Sequence, residues 1–269
     1  LYLLLAGLRI VYGGKLDPDK LDDPDNFTLR LFWLARDYAD VAADAGATRL
    51  QPIVNAAPWP LWTLYDDDVA DVFGTVAELE KHPRPDFGKT DDELGATPSG
   101  FVPPGTPLQR YAWARALTDM REETTKNCAA RLSIGGRIEG YTGRLPGLIE
   151  EPLLSLRAGK PLFLVGALGG CTEVVIDLLE QRARPEMATP VAEENVADYD
   201  EFVACYDEFG GEWITREAVA DEIAERGADG PAQGLNNGLD DAENRRLFET
   251  TDPVEIAELL LRGLANLGM

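Results

Sequence analysis

RLSIGGRIEGYTGRLPGLIEEPLLSLRAGKPLFLVGALGGCTEVV, residues 131–175, is the stretch whose reading decides the fold. Leu132, Ser133 and Ile134 read as a strand that runs into Gly135 and Gly136. A loop bearing Arg137 and Arg144 follows. Pro146 and Gly147 open a helix with Glu150 and Glu151 in its first turn. Residues 161–165 (PLFLV) are a short apolar run, a second buried strand, that ends in Gly166, Ala167, Leu168, Gly169 and Gly170. A helical pattern restarts at Cys171. Two strand ends, two glycine turns and two helix starts thus fall close together. Open α/β sheets build ligand crevices in this way, at the carboxyl ends of strands, with backbone N–H groups and helix dipoles aimed at an anion. Glycine suits such turns because a phosphate must approach the backbone closely and because the turns often need positive φ.

The chain around this stretch has 269 residues and an ordinary globular apolar fraction, so it can bury a sizeable core. Its formal net charge is −23, with only 6 lysines against 19 arginines. An acidic surface poor in lysine suits solubility in high salt and disfavours broad nucleic-acid binding, which needs clustered cations. The charge is uneven. Between Gln109 and Arg144, 7 basic residues (Arg110, Arg115, Arg121, Lys126, Arg131, Arg137, Arg144) face 4 acidic ones. A local cationic window in an acidic chain fits a small anionic ligand better than a polymer. The plainer reading is that Arg110, Arg115 and Arg121 decorate a helix. The 3 cysteines (Cys128, Cys171, Cys205) are scattered without metal spacing, which predicts a reduced, cytoplasmic compartment and no metal. Cys171, at a helix start, reads first as a packing residue, with a lowered pKa as the alternative. No apolar run is long enough to span a membrane.

Toward the N-terminus, Leu1 to Ala6 with Gly7 reads as a helix end with its glycine cap. Leu8 to Tyr12 reads as a buried strand ending in a third glycine turn, Gly13 and Gly14. A doubly wound domain normally starts with a strand, so a first strand is expected to be missing from this chain. The acidic loop at 17–26 lacks the glycine and glutamate of a calcium-binding loop. Residues 27–43 carry apolar side chains at helical spacing: Phe27, Leu31, Leu34, Ala35, Tyr38 and Val41. Leu50 to Val54 is the next strand, ending at Asn55, and PWPLW (58–62) is a rigid packing turn. Residues 66–106 read as an acidic and Pro/Gly-rich connection. It holds the only histidine, His82, read as a surface residue. One histidine without a serine or cysteine motif argues against a Ser-His or Cys-His hydrolase. Thr106 caps a helix from Pro107 to about Lys126.

Beyond the central stretch, a helix runs to about Arg184 and prolines break the chain at 185–190. Residues 193–230 are helical in period and, counted from Glu186, hold 14 acidic residues against 2 arginines, a solvated face by pattern. Residues 234–238 (GLNNG) form a turn, and 241–263 hold two amphipathic segments divided at Asp252 and Pro253.

The motifs GGR-x-x-GY-x-GR-x-PG-x-x-EE and GKPLFLVG-x-x-GG resemble the SLOG superfamily. This Rossmann-like group includes the LOG nucleotide phosphoribohydrolases and the DprA/Smf proteins. The likeness is strongest to bacterial SLOG domains of antiphage and nucleotide-signalling systems, and it covers nearly the whole chain. The resemblance implies that Gly13, Gly14, Gly135, Gly136, Gly147, Gly166, Gly169 and Gly170 hold a nucleotide or an ADP-ribose-type messenger. It implies that Arg137 and Arg144 pair with phosphates and that Glu150 or Glu151 binds ribose hydroxyls. In the LOG enzymes a glutamate after PGG-x-GT serves cleavage, which makes Glu150 and Glu151 the catalytic candidates of a hydrolase. Here the second glycine and the Gly-Thr pair are absent, which counts against hydrolysis more than against binding. Lys15 departs from the expected Asp.

The expectation is a doubly wound, mostly parallel Rossmann-like α/β sheet over 1–185 with a helical acidic C-terminal extension over 186–269. The expected role is a homo-oligomeric sensor of a nucleotide-derived anion. Its partner would be an effector such as a TIR or SIR2 domain, and no cofactor is implied. A LOG-like nucleoside-monophosphate phosphoribohydrolase and an acidic protein-interaction module are the alternatives.

Overall fold

The computed structural model describes residues 2–14, 26–44, 52–65, 74, 76–182 and 196–269. Residues 1–103 and 104–269 form two units, each taken by itself. The loops read from sequence at 17–25, 66–68 and 185–190 lie outside the described residues.

In the first unit, helix α1 (Tyr2–Leu5) ends at Gly7, whose φ of +80° is the glycine-type stop the sequence predicts. Strand β1 (Ile10–Tyr12), helix α2 (Phe27–Asp44), strand β2 (Ile53–Ala57) and strand β3 (Ala77–Lys81) follow. The sheet order is β1-β2-β3 and every pair is parallel, with Ile10 opposite Ile53 and Ile53 opposite Ala77. β2 is central and buried at all positions, as a parallel strand covered on both faces should be. β1 corrects the expectation of a buried strand: it lies at the edge of this sheet and Val11 is exposed. The helix at 27–44 is where the periodicity places it, and Leu31, Ala35 and Tyr38 of the expected stripe do pack against this core. Leu29, Phe32, Ala35 and Ala39 pack with Leu4, Ile53, Val76 and Ala77, while Phe27 and Leu34 are exposed.

β3 corrects the reading of 66–106 as mere connection. Its AELEK sequence alternates apolar with acidic residues and looks polar in isolation. His82 is a second correction, because it is buried. Its N–H extends the sheet onto Ala57 O at 2.9 Å, and its carbonyl accepts from Trp62 Nε1 at 2.8 Å. Trp59 is buried, as the packing reading of PWPLW requires, and Arg84 lies over both the Trp59 and Phe87 rings.

The second unit begins with helix α3 (Pro107–Asn127). Its capping box is complete: Thr106 Oγ1 accepts from Gln109 N, and the Gln109 side chain accepts from Thr106 N. Then come β4 (Arg131–Ile134), α4 (Gly147–Arg157), β5 (Leu162–Val165) and α5 (Gly170–Leu179). The helix expected to reach Arg184 thus ends at Leu179. β4 and β5 pair in parallel, with Arg131 opposite Leu162 and Ile134 opposite Val165. Five helices follow: α6 (Val196–Phe209), α7 (Arg216–Arg226), α8 (Pro231–Leu235), α9 (Asp241–Glu249) and α10 (Pro253–Asn266).

One face of β5 joins a core with Leu145, Ile149, Leu153, Val175, Leu179, Val219, Ile223 and Phe248, drawn from α4, α5, α7 and α9. The opposite side of β5 presents Phe163, against which Gly263 of α10 packs so closely that a Cβ there would come within 2.7 Å. Helices therefore cover both faces, which is the doubly wound α/β arrangement. Asn237 in the predicted GLNNG turn is buried and donates to Leu162 O at 2.9 Å and to Asn244 Oδ1 at 2.8 Å, tying the later helices to β5. Among the described residues no helix is long and apolar enough to cross a membrane.

Candidate functional site

The carboxyl ends of β4 and β5 lie side by side, and each runs into a glycine turn. Gly135 (φ +63°), Gly136 (φ +105°), Gly169 (φ +71°) and Gly170 (φ +70°) all adopt backbone conformations that side chains resist. The two turns interlock. Cys171 N donates to Gly136 O at 3.2 Å and Thr172 N to Gly135 O at 2.8 Å. Thr172 Oγ1 also donates to Gly135 O and meets Ser133 Oγ, each within 3.0 Å. A Cβ on Gly170 would stand 2.2 Å from Gly136 O, so the close approach itself demands glycine. Gly166 is equally confined: its N–H donates to Phe248 O at 3.1 Å, and a Cβ would meet Ile176 at 2.5 Å.

This geometry changes how an anion can be held. The α5 amides of Cys171 and Thr172, read from sequence as facing a ligand, are already bonded to the neighbouring turn. Cys171 is fully buried and donates Sγ–H to Arg137 O, and burial pushes its thiol up to about 11. It is a packing residue, and the lowered-pKa alternative does not hold.

Arg137 stands apart from the other arginines of the central stretch. It is exposed on the loop directly after Gly136, and among the described residues its guanidinium makes no hydrogen bond or ion pair. Arg144 is the opposite case. Its side chain is 2% exposed; Nε donates to Glu150 Oε1 at 2.6 Å and Nη1 donates to Glu212 O. Glu150 has no exposed surface and also accepts from Thr118 Oγ1 at 2.7 Å and from Arg121 Nη1. Burial alone would push the Glu150 carboxyl up. Arg121, Arg144 and the Thr118 hydroxyl outweigh it and hold the carboxyl below its ordinary range. Glu151 is partly buried and pairs with Arg131, which also donates to Ser155 Oγ and Thr125 Oγ1. Gly147 sits over Arg121, with space for no Cβ.

The predicted residues therefore divide. Gly135, Gly136, Arg137, Gly166, Gly169 and Gly170 gather at the strand ends. Arg144, Glu150 and Glu151 form a buried charge network beneath the 137–146 loop. Gly13 and Gly14 belong to the first unit, where the Gly14 carbonyl accepts from buried Asn55 Nδ2 at 3.0 Å. Sequence reasoning missed Thr118, Arg121, Ser133 and Thr172 as partners. Thr118 and Arg121 share one helix face by their spacing, but that face could not be told from a solvated one by charge alone. Among the described residues no cluster of His, Cys, Asp or Glu is arranged to hold a metal ion.

Parallel strands joined by helices, with glycine turns at their carboxyl ends, define a Rossmann-like α/β protein. The chain belongs to the SLOG cluster2 family, whose profile matches residues 1–247. No curated protein and no solved structure matches the chain. Family membership is consistent with nucleotide-related binding or signalling.

Proposed function

We propose that the chain binds a nucleotide or ADP-ribose-type anion at the carboxyl ends of β4 and β5 and acts as a sensor in a nucleotide-signalling or antiphage system. The observation that carries this reading is Arg137. It is an exposed cation without a partner among the described residues, beside a positive-φ glycine turn, in a chain of net charge −23. In so acidic a protein an arginine left unpaired next to a glycine floor suits a phosphate, whose oxygens match the guanidinium fork. Arg144 and Glu150 support the loop from below, and the ribose-binding role falls to Glu151 or to the loop backbone. The hydrolase reading needs a carboxylate that can reach a ribosyl centre. Glu150 is spent on three internal donors, which favours binding over cleavage. An effector such as a TIR or SIR2 domain, and a homo-oligomeric state, complete the proposal.

The test is a thermal-shift panel of AMP, ADP-ribose, NAD, cyclic ADP-ribose isomers and cyclic dinucleotides, with chromatography of each sample afterwards. A ligand at 100 times its dissociation constant adds about 2.7 kcal/mol of stability. Stabilisation with the ligand recovered intact supports a sensor. A released base makes the protein a hydrolase, and no shift with any nucleotide overturns the binding site.

A further inference from the structure

Helix α2 carries apolar residues on two faces. The inward face is Leu29, Phe32, Ala35 and Ala39, all buried in the core of the first unit. The second face is Phe27, Leu31, Leu34 and Tyr38. Their spacing of four, three and four residues is that of a heptad seam, and at about 100° per residue they fall within about 60° of one another. Leu31 and Tyr38 sit at the shoulder of the seam, partly buried against the core. Leu34 is 37% exposed, and Phe27, although it meets the edge of the Tyr12 ring, is 64% exposed. A helix that is apolar on opposite sides is expected to be covered on both. Exposed apolar residues aligned in one stripe differ from the scattered ones every surface has, and mark an interaction site.

Charge selects the occupant. Residues 27–39 hold Arg30, Arg36 and Asp37, a net charge of +1 in a chain of −23. Two copies of so acidic a chain repel each other at long range, and this face is one where they can touch without like charges meeting. The seam is also self-complementary. Run antiparallel about a two-fold axis, Phe27 lies opposite Tyr38 of the partner subunit and Leu31 opposite Leu34 of the partner subunit, so four apolar layers form. Arg30 and Asp37 are exposed and border the seam on the same side. The antiparallel arrangement brings Arg30 within about half a turn of Asp37 of the partner subunit, and does so twice by symmetry. A parallel pair would instead set Arg30 against Ala35 of the partner subunit, with no charge to answer it.

We propose that the outer face of α2 is a homodimer interface. Phe27, Leu31, Leu34 and Tyr38 pack antiparallel against the same residues of a second copy, with Arg30 and Asp37 paired across the axis. The inference rests on the homo-oligomeric part of the proposed function and gives it a surface; it does not depend on the ligand held at the strand ends.

The experiment is sedimentation equilibrium of the full chain at low and high salt, for the wild type and three variants. The wild type is expected to be a dimer that tightens as salt rises, because screening relieves repulsion between two acidic copies. Leu34→Glu is expected to raise the dimer Kd by about thirtyfold or more, the scale of a central interface residue lost. Its far-UV circular dichroism should stay that of the wild type, since position 34 faces outward in the single chain. Asp37→Arg should weaken the dimer, and Arg30→Asp combined with Asp37→Arg should restore it. A monomeric wild type overturns the proposal together with the homo-oligomeric state, and leaves this face to a different partner. An oligomer that Leu34→Glu does not weaken overturns the α2 interface alone. A double variant that fails to recover overturns the antiparallel pairing.

Discussion

Arg137 and Arg144 sit seven positions apart on one loop and do opposite work. Arg137→Ala should weaken binding of a phosphorylated ligand by about tenfold or more, the scale of a charge-assisted hydrogen bond, as titration calorimetry would read. Glu150→Ala should cost about 3–5 kcal/mol, because it leaves Arg121 and Arg144 buried without their carboxylate; urea denaturation checks this. The network also sets a pH dependence. The folded-state pKa of Glu150 is depressed, so its contribution is fully present above the unfolded carboxyl value of about 4.3 and is lost as pH falls through the lower folded value. Glu222 is depressed in the same direction by its hydrogen bond to Arg157. Stability should thus fall steeply on the acid side below pH 4.5, and Glu150→Gln should flatten that slope. Thiol titration tests the packing role of Cys171. Of 3 cysteines, only the half-buried Cys128 should react in the native protein near pH 8, and all should react in denaturant.

At the scale of elements, the interlocked turns carry the sharpest expectation. Gly170→Ala should destabilise the protein by about 2–4 kcal/mol, since it combines a strained positive φ with a clash against Gly136 O. Thermal unfolding would detect it; a neutral result would mean the turns are not in contact. The strands, turns and helix starts of 131–175 were legible because glycine, proline and apolar runs punctuate them strongly. The edge character of β1 was not, because LRIVY carries no sign of which neighbours cover it. β3 was hidden for a related reason: backbone pairing with β2, not side-chain burial, makes AELEK a strand. Helix α2 was placed correctly but its inward face only in part, with Leu31, Ala35 and Tyr38 inward and Phe27 and Leu34 exposed. Aromatic and aliphatic residues occur on several sides of it, and tertiary packing chooses Leu29, Phe32 and Ala35. Within the candidate site, the glycines could be read directly. The inward turn of Arg144 could not, since Glu212, and the Thr118 and Arg121 that share its partner Glu150, are distant in sequence.

Across the whole molecule, a net charge of −23 on 269 residues means strong self-repulsion at low ionic strength. Raising salt from about 0.05 M to 0.5 M should therefore raise Tm in gluconate as well as in chloride, as the Debye length shrinks. Many surface arginines are already committed to acids: Arg157 to Glu212 and Glu222, Arg245 to Glu180, and Arg262 to Glu243. Exposed pairs of this kind contribute little each. Their effect here is to consume the scarce cations, which leaves few sites where an anion meets an unopposed positive charge.

The contact between Gly136 and Gly170 has one more consequence, for how the sequence can vary. A side chain at position 170 strikes the backbone of 136, and one at 136 strikes Leu148 and the Cβ of Cys171. Each position is held to glycine by its own neighbours, Gly170 by the Gly136 carbonyl and Gly136 by Leu148 and Cys171. Under random mutagenesis with selection for folding, the two sites should be depleted of variants together, although thirty-four residues of chain separate them.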